Sequence, residues 1–146
     1  MAFDLEDFLP YRLYQAAEKA SQEFFKTYRE RFQLRRTDWR VLFNVGQYGP
    51  ISAADITRRS GLEKSKISRS LTRLEERGWV LRRVVRADRR QQEVRLSAEG
   101  RRTFETLREL AAEFNRSVAR DLGGDELRQL IALLNGFEAQ ASSSED

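Results

Sequence analysis

The stretch SAADITRRSGLEKSKISRSLTRLEERGWVLRRVV, residues 52–85, decides the fold. Ser52 to Asp55 forms a variant capping box that opens a short helix, Ala53 to Ser60. Gly61 follows as the left-handed residue that ends it, and Leu62 supplies the accompanying apolar contact. A second helix runs from Lys64 to Arg77 and stops at Gly78. On its wheel Ile67, Leu71 and Leu74 mark the buried side, with Ser70 beside them. Ser65, Arg69 and Thr72 point the opposite way, flanked by Ser68 and Arg73. Two short helices joined by a tight turn read as helix-turn-helix.

After Gly78 the period changes. Trp79 to Val85 is rich in strand formers, and Glu93-Val94-Arg95-Leu96 alternates polar and apolar. Between them Arg86 to Gln92 reads as a polar connection. A hairpin directly after a helix-turn-helix is the wing of a winged helix.

Upstream, the pattern predicts a long helix from Phe8 to Phe32, opened by Asp7, with Pro10 tolerated in its first turn. It is apolar on two sides: Leu9, Leu13, Ala16, Ala17, Ala20 and Phe24 form one stripe, with Tyr14, Phe25, Tyr28 and Phe32 off it. Such a helix needs two surfaces to pack on. The next helix is expected to start at Thr37 as N-cap and to stop at Tyr48-Gly49-Pro50. Downstream, Ser97 caps a helix of roughly 24 residues, about 36 Å at 1.5 Å per residue. Its Phe104, Leu107, Ala111, Phe114 and Val118 make a helix-packing seam. A last helix from Asp125 carries Leu127, Leu130, Ile131, Leu134 and Phe137 on one face. The expected architecture is therefore mainly α with a small β-hairpin. A winged helix-turn-helix over 35–97 sits between dimerisation helices at 1–34 and 98–141, and 142–146 form a flexible tail.

The chain has 146 residues, 27 Lys+Arg, 23 Asp+Glu and a formal charge of +4, but the charge is unevenly spread. Ser52 to Arg102 holds 15 Lys/Arg against 7 Asp/Glu, while the flanking segments are net acidic. A basic centre between acidic arms suggests an anionic partner. With no Cys and no His, disulfides, thiol or imidazole catalysis and Cys/His zinc sites are excluded. Nothing supports an enzyme, a cofactor or a metal. Mean hydropathy is −0.69. No apolar run approaches the roughly 20 residues that span a bilayer. The start, MAFDLEDF, is acidic and unlike a secretory signal. The expectation is a soluble cytoplasmic protein without a membrane partner.

Double-stranded DNA is the expected partner. The hydroxyls and guanidinium of Ser65, Ser68, Arg69 and Thr72 are the groups that bond base edges in a major groove, and Arg69 has the reach for guanine O6 and N7. Lys64, Lys66 and Arg73 are placed as phosphate contacts. Arg86, Arg89 and Arg90 crowd one hairpin, where like charges repel unless an anion offsets them. A narrow minor groove attracts such Arg side chains. Asp88, two residues before Arg90, is placed to orient its guanidinium.

These residues bring the chain close to a known group. Trp39-Arg40-Val41-Leu42, Ser65-Lys66-Ile67-Ser68-Arg69, Leu74 through Val80, Arg83, Asp88-Arg89-Arg90 and Val94 through Gly100 resemble the MarR family of winged-helix transcriptional regulators. The resemblance spans about Leu9 to Leu134. It implies a homodimer with interlocked terminal helices, the fourth helix in the major groove and Arg90 in the minor groove. It further implies a regulator, commonly a repressor, that releases DNA when a small, often aromatic, anion binds. Glu63 departs from the usual Asp or Ser at the N-cap of the recognition helix, and Ser97 replaces the commoner Thr. The lack of Cys excludes the thiol-based, peroxide-sensing branch.

For an effector, Trp39, Arg40 and Phe43 of the second helix, with Arg108 of the long helix, make an apolar box with guanidiniums. That suits an aromatic or carboxylate ligand. Aromatic stripes usually serve packing, so core is the stronger reading of Trp39, Phe43 and Tyr28 taken singly. Two other functions fit the same pattern: a winged-helix module that binds an acidic protein, and an architectural DNA binder without effector. The operator, the regulated genes and the sign of regulation are not written in the chain.

Overall fold

The computed structural model describes residues 2–85 and 88–143, with residues 88–91 described by their backbone alone. The helices are α1 (Leu9–Phe32), α2 (Arg36–Tyr48), α3 (Ala53–Ser60), α4 (Lys64–Glu76), α5 (Ala98–Leu122) and α6 (Gly124–Ser142). The strands are β1 (Ile51–Ser52), β2 (Val80–Val85) and β3 (Asp88–Leu96), in antiparallel order β1-β3-β2. The fold is the mainly helical winged helix expected, with one strand more than the hairpin. A two-residue β1 carries no periodicity, so only its pairing with Val94 and Glu93 reveals it.

Three boundaries differ from expectation. Asp7 does not open α1; it ends a short 3-10 turn, Leu5–Asp7, that Asp4 caps, and Phe8 is the N-cap of α1. Thr37 does not cap α2; the helix begins two residues earlier, at Arg36, with Arg35 at the N-cap and its N–H donated to Asp38. The carboxylate three residues on serves the exposed donor, so no hydroxyl is needed at Thr37. The polar connection after β2 is shorter than expected, because β3 already begins at Asp88 and pairs with Val85 across an irregular register.

Where the punctuation was strong, the elements fall where expected. Ser52 Oγ accepts from Asp55 N at 3.1 Å, and Gly61 adopts φ 68° at the end of α3. Ser97 Oγ accepts from Gly100 N at 3.0 Å, and Ser97 N donates to Trp79 O. The glycine at 100 is forced by this contact: a Cβ there would lie 1.9 Å from the carbonyl oxygen of Trp79.

The chain forms two compact units, Met1–Leu107 and Arg108–Asp146, and α5 runs from the first into the second. In the first unit α2 packs against α3, α4 and β3. Leu42, Val45, Ile56, Ile67, Leu74, Val80 and Val94 are fully enclosed there. Leu107 and Phe104 of the long-helix seam are buried in the same unit. In the second unit α6 has no buried residue, and Leu130, Ile131 and Phe137 stay about half exposed. Among the described residues no helix is long and apolar enough to cross a membrane.

Candidate nucleic-acid interface

The wheel of α4 survives folding intact. Ile67, Ser70, Leu71 and Leu74 are buried, while Lys64, Ser65, Lys66, Ser68, Arg69 and Thr72 are exposed on one continuous face. A cluster of donors on a helix held from behind by apolar side chains is a surface offered to an external acceptor. Glu63 stands at the N-cap without a side-chain hydrogen bond. Its extra methylene makes it a poorer cap than Asp or Ser.

Arg73 has a second engagement. Its Nε and Nη2 donate to Asp38 Oδ1 at 3.1 and 2.6 Å, and the Ser70 hydroxyl donates to the same carboxylate at 2.8 Å. Asp38 is buried, so this pair clamps α4 to the start of α2. Thr72 is also occupied on its own surface. Its hydroxyl donates to Ser68 O and accepts from Arg82 Nη2, each at 3.1 Å, so its proton is already committed within the protein. At the far end of α4, Arg77 donates to the carbonyls of Phe32 and Gln33 and stacks over Trp79. Burial lowers the Arg77 pKa.

In the wing, Asp88, Arg89 and Arg90 occupy the first positions of β3. Their side chains lie outside the described residues, as does Arg86. The orienting of Arg90 by Asp88 therefore falls outside the described part. At the base of the wing Arg83 and Glu93 are register partners and form an ion pair at 3.4 Å.

The aromatic residues singled out for an effector form a chain of edge-to-face contacts. Phe24 meets Trp39 at 5.4 Å, Trp39 meets Phe43 at 5.2 Å and Phe43 meets Phe104 at 5.3 Å. Tyr28 lies against them, fully buried, with its hydroxyl lacking a partner, and burial raises its pKa. Beside this chain, within the first unit, a cleft of about 350 Å³ is lined by Tyr14, Glu18, Arg36, Trp39, Arg40 and Leu62 among others. Arg40 lines it but donates to Ser60 O at 2.8 Å; Phe43 faces Phe104, and Arg108 belongs to the second unit. The guanidinium that sequence reasoning missed is Arg36, which pairs with Glu18 at 2.8 Å. The Arg36 and Gln22 donors hold the Glu18 carboxyl below the usual carboxylate range. A contact between residues 18 positions apart on separate helices leaves no local mark in the sequence. Among the described residues no group of His, Cys, Asp or Glu could hold a metal ion.

The MarR family model matches residues 32–91. A probable transcriptional regulator from Pseudomonas aeruginosa is similar at 28% identity and TM-score 0.78, over 92% of this chain and 99% of that one. A MarR/EmrR family regulator from Acinetobacter sp. ADP1 shares the fold at TM-score 0.84 and 20% identity, over 97% of this chain and 99% of that one. So does BpsR of Bordetella bronchiseptica, whose DNA binding is regulated by 6-hydroxynicotinic acid. Its TM-score is 0.82 at 20% identity, over 94% of this chain and 98% of that one.

Proposed function

We propose that this chain, whose residues 32–91 match the MarR family model, is a transcriptional regulator of that kind that binds double-stranded DNA sequence-specifically, as a homodimer on a pseudo-palindromic operator, and represses transcription there. The observation that carries this reading is the exposed face of α4, where Lys64, Ser65, Lys66, Ser68 and Arg69 stand together on a helix braced from behind. Helix α4 enters the major groove, with Ser65, Ser68, Arg69 and Thr72 toward base edges. Lys64 and Lys66 engage phosphates, and Arg73 does so with whatever reach its clamp on Asp38 leaves. Asp88, Arg89 and Arg90 carry the wing to the minor groove.

The dimer reading rests on apolar surface that the single chain leaves uncovered: Leu130, Ile131, Leu133 and Phe137 on α6, with Phe8 and Leu9 at the start of α1. On that reading 1–34 and 98–141 pair two copies, and 35–97 bind DNA. Two-fold symmetry places the half-sites about 10 bp apart, one helical turn.

The cleft beside Trp39 takes a small aromatic carboxylate, with Trp39 and Tyr14 flanking the ring and Arg36 receiving the carboxylate. BpsR and its hydroxynicotinic acid offer a parallel of the same chemical class. Release from DNA requires that the ligand bind the two dimer conformations unequally.

The test of the main reading is selection of bound duplexes from a random pool, followed by titration across salt. A pseudo-palindromic consensus with a steep salt slope is expected. Weak or salt-insensitive binding of every duplex overturns it and favours the protein-binding module.

A further inference from the structure

A second basic feature adjoins the face of α4 just described and reaches beyond it to the start of α2. Arg35 and Thr37, at the junction of α1 and α2, meet Lys66, Arg69 and Arg73 across a cleft of about 380 Å³. These elements are distant in sequence, and the clamp of Arg73 on Asp38 is what draws them together. Four cations therefore line one concavity. No carboxylate is among the described residues that line it, and the counter-charge of Arg73, Asp38, is buried and shared with Ser70, which leaves Arg35, Lys66 and Arg69 uncompensated. Among the described residues no ion pair includes Arg35, Lys66 or Arg69. Like charges held in one cleft without a counter-charge repel, and an oxyanion placed among them removes that repulsion.

We infer that Arg35 and Lys66, with the Thr37 hydroxyl between them, form a phosphodiester-binding cleft that seats one backbone phosphate of the operator. This rests on the DNA-binding reading and extends the contact surface beyond the helix-turn-helix to the start of α2. Arg69, at the rim, keeps its reach toward a base edge. The seated phosphate sets how deeply α4 sits in the groove, so the cleft positions the readers without itself reading sequence.

The site is testable because the Arg35 side chain is dispensable for the local fold. The start of α2 depends on the Arg35 N–H reaching Asp38, which Arg35→Ala retains. The full-length protein is titrated with its selected duplex over a range of salt. Arg12→Ala, an exposed change on α1, serves as control. Arg35→Ala and Lys66→Ala each remove a contact from both subunits of the dimer, so each is expected to lower the slope of log affinity against log salt by up to about 1.8, roughly 0.9 per half-site, with base preference unchanged. Duplexes carrying one neutral methylphosphonate at successive positions then locate the phosphate. One position in each half-site is expected to weaken the wild type and to make no difference to Arg35→Ala.

An unchanged slope in Arg35→Ala, or losses that add at every methylphosphonate position, overturns the cleft while leaving the DNA-binding reading in place. Inorganic phosphate that binds at millimolar concentration through Arg35, with no effect of Arg35→Ala on the DNA slope, overturns it in favour of a small-anion site. Absence of salt-dependent binding of any duplex by the wild type overturns both.

Discussion

Arg73 on α4 and Asp38 on α2 are 35 residues apart and joined through Nε and Nη2, at 3.1 and 2.6 Å, to one buried carboxylate oxygen. The carboxylate is almost wholly enclosed, while the guanidinium keeps part of its surface in water. Ser70 donates to the same oxygen, so the buried charge is satisfied from α4 twice. The geometry makes this pair the main polar link between α4, with its exposed basic face, and α2 behind it.

Removing the carboxylate leaves Arg73 able to turn to solvent but strands the buried Ser70 hydroxyl. Asp38→Ala should therefore cost about 3 kcal/mol, the lower end for breaking a buried pair. Urea unfolding of Asp38→Ala, Arg73→Ala and the double variant checks this. The double variant should lose clearly less than the two single losses added together. Strict additivity would show that the clamp is not a coupled unit.

Arg69 and Ser68 are unbraced and exposed, so their loss should leave stability alone. Arg69→Ala should weaken binding by about 1–3 kcal/mol and relax preference at one base position. Lys64→Ala should weaken all sequences alike. Measuring affinities on single-base operator variants separates the two patterns, and identical profiles would remove Arg69 from the readers.

Glu18 competes with any anionic ligand for Arg36. Because its carboxyl is held below the usual range, it is ionised at neutral pH and the competition is in force. Glu18→Gln should tighten the binding of an aromatic acid several-fold, and Arg36→Ala should abolish it. Quenching of Trp39 fluorescence by salicylate-like and nicotinate-like acids provides the readout. Equal affinities in all three proteins would count against Arg36 as the carboxylate partner.

Gly100 lies against the Trp79 carbonyl, and backbone cannot yield as a side-chain tip can. Gly100→Ala should destabilise the first unit by about 1–3 kcal/mol, the range for overpacking. A thermal melt that matches the wild type would mean that α5 shifts to make room.

Leu133 on α6 is 72% exposed and has little to do within one chain. Leu133→Asp and Phe137→Asp should leave the helical signal intact and convert a dimer to monomers, as read by light scattering at micromolar concentration. A wild type that is already monomeric there would sink the dimer reading.

Local chemistry was legible in the sequence wherever a single residue type answers a single backbone demand. Ser52, Gly61, Gly78 and Ser97 sit at caps or at positive φ, and each marked its element boundary without help from the rest of the chain. The spacing of Ile67, Leu71 and Leu74 likewise settled which side of α4 would be free, because a 3.6-residue period needs no partner to be read. Tertiary structure alone decided what the charges would do. Nothing near Arg73 distinguishes a guanidinium for phosphate from one that clamps Asp38, and nothing near Arg36 announces Glu18. Arg35 and Lys66 meet only because α2 packs on α4. Apolar periodicity is a property of one helix, whereas an ion pair or a cleft is a property of two, and which two helices meet is settled only when the core closes.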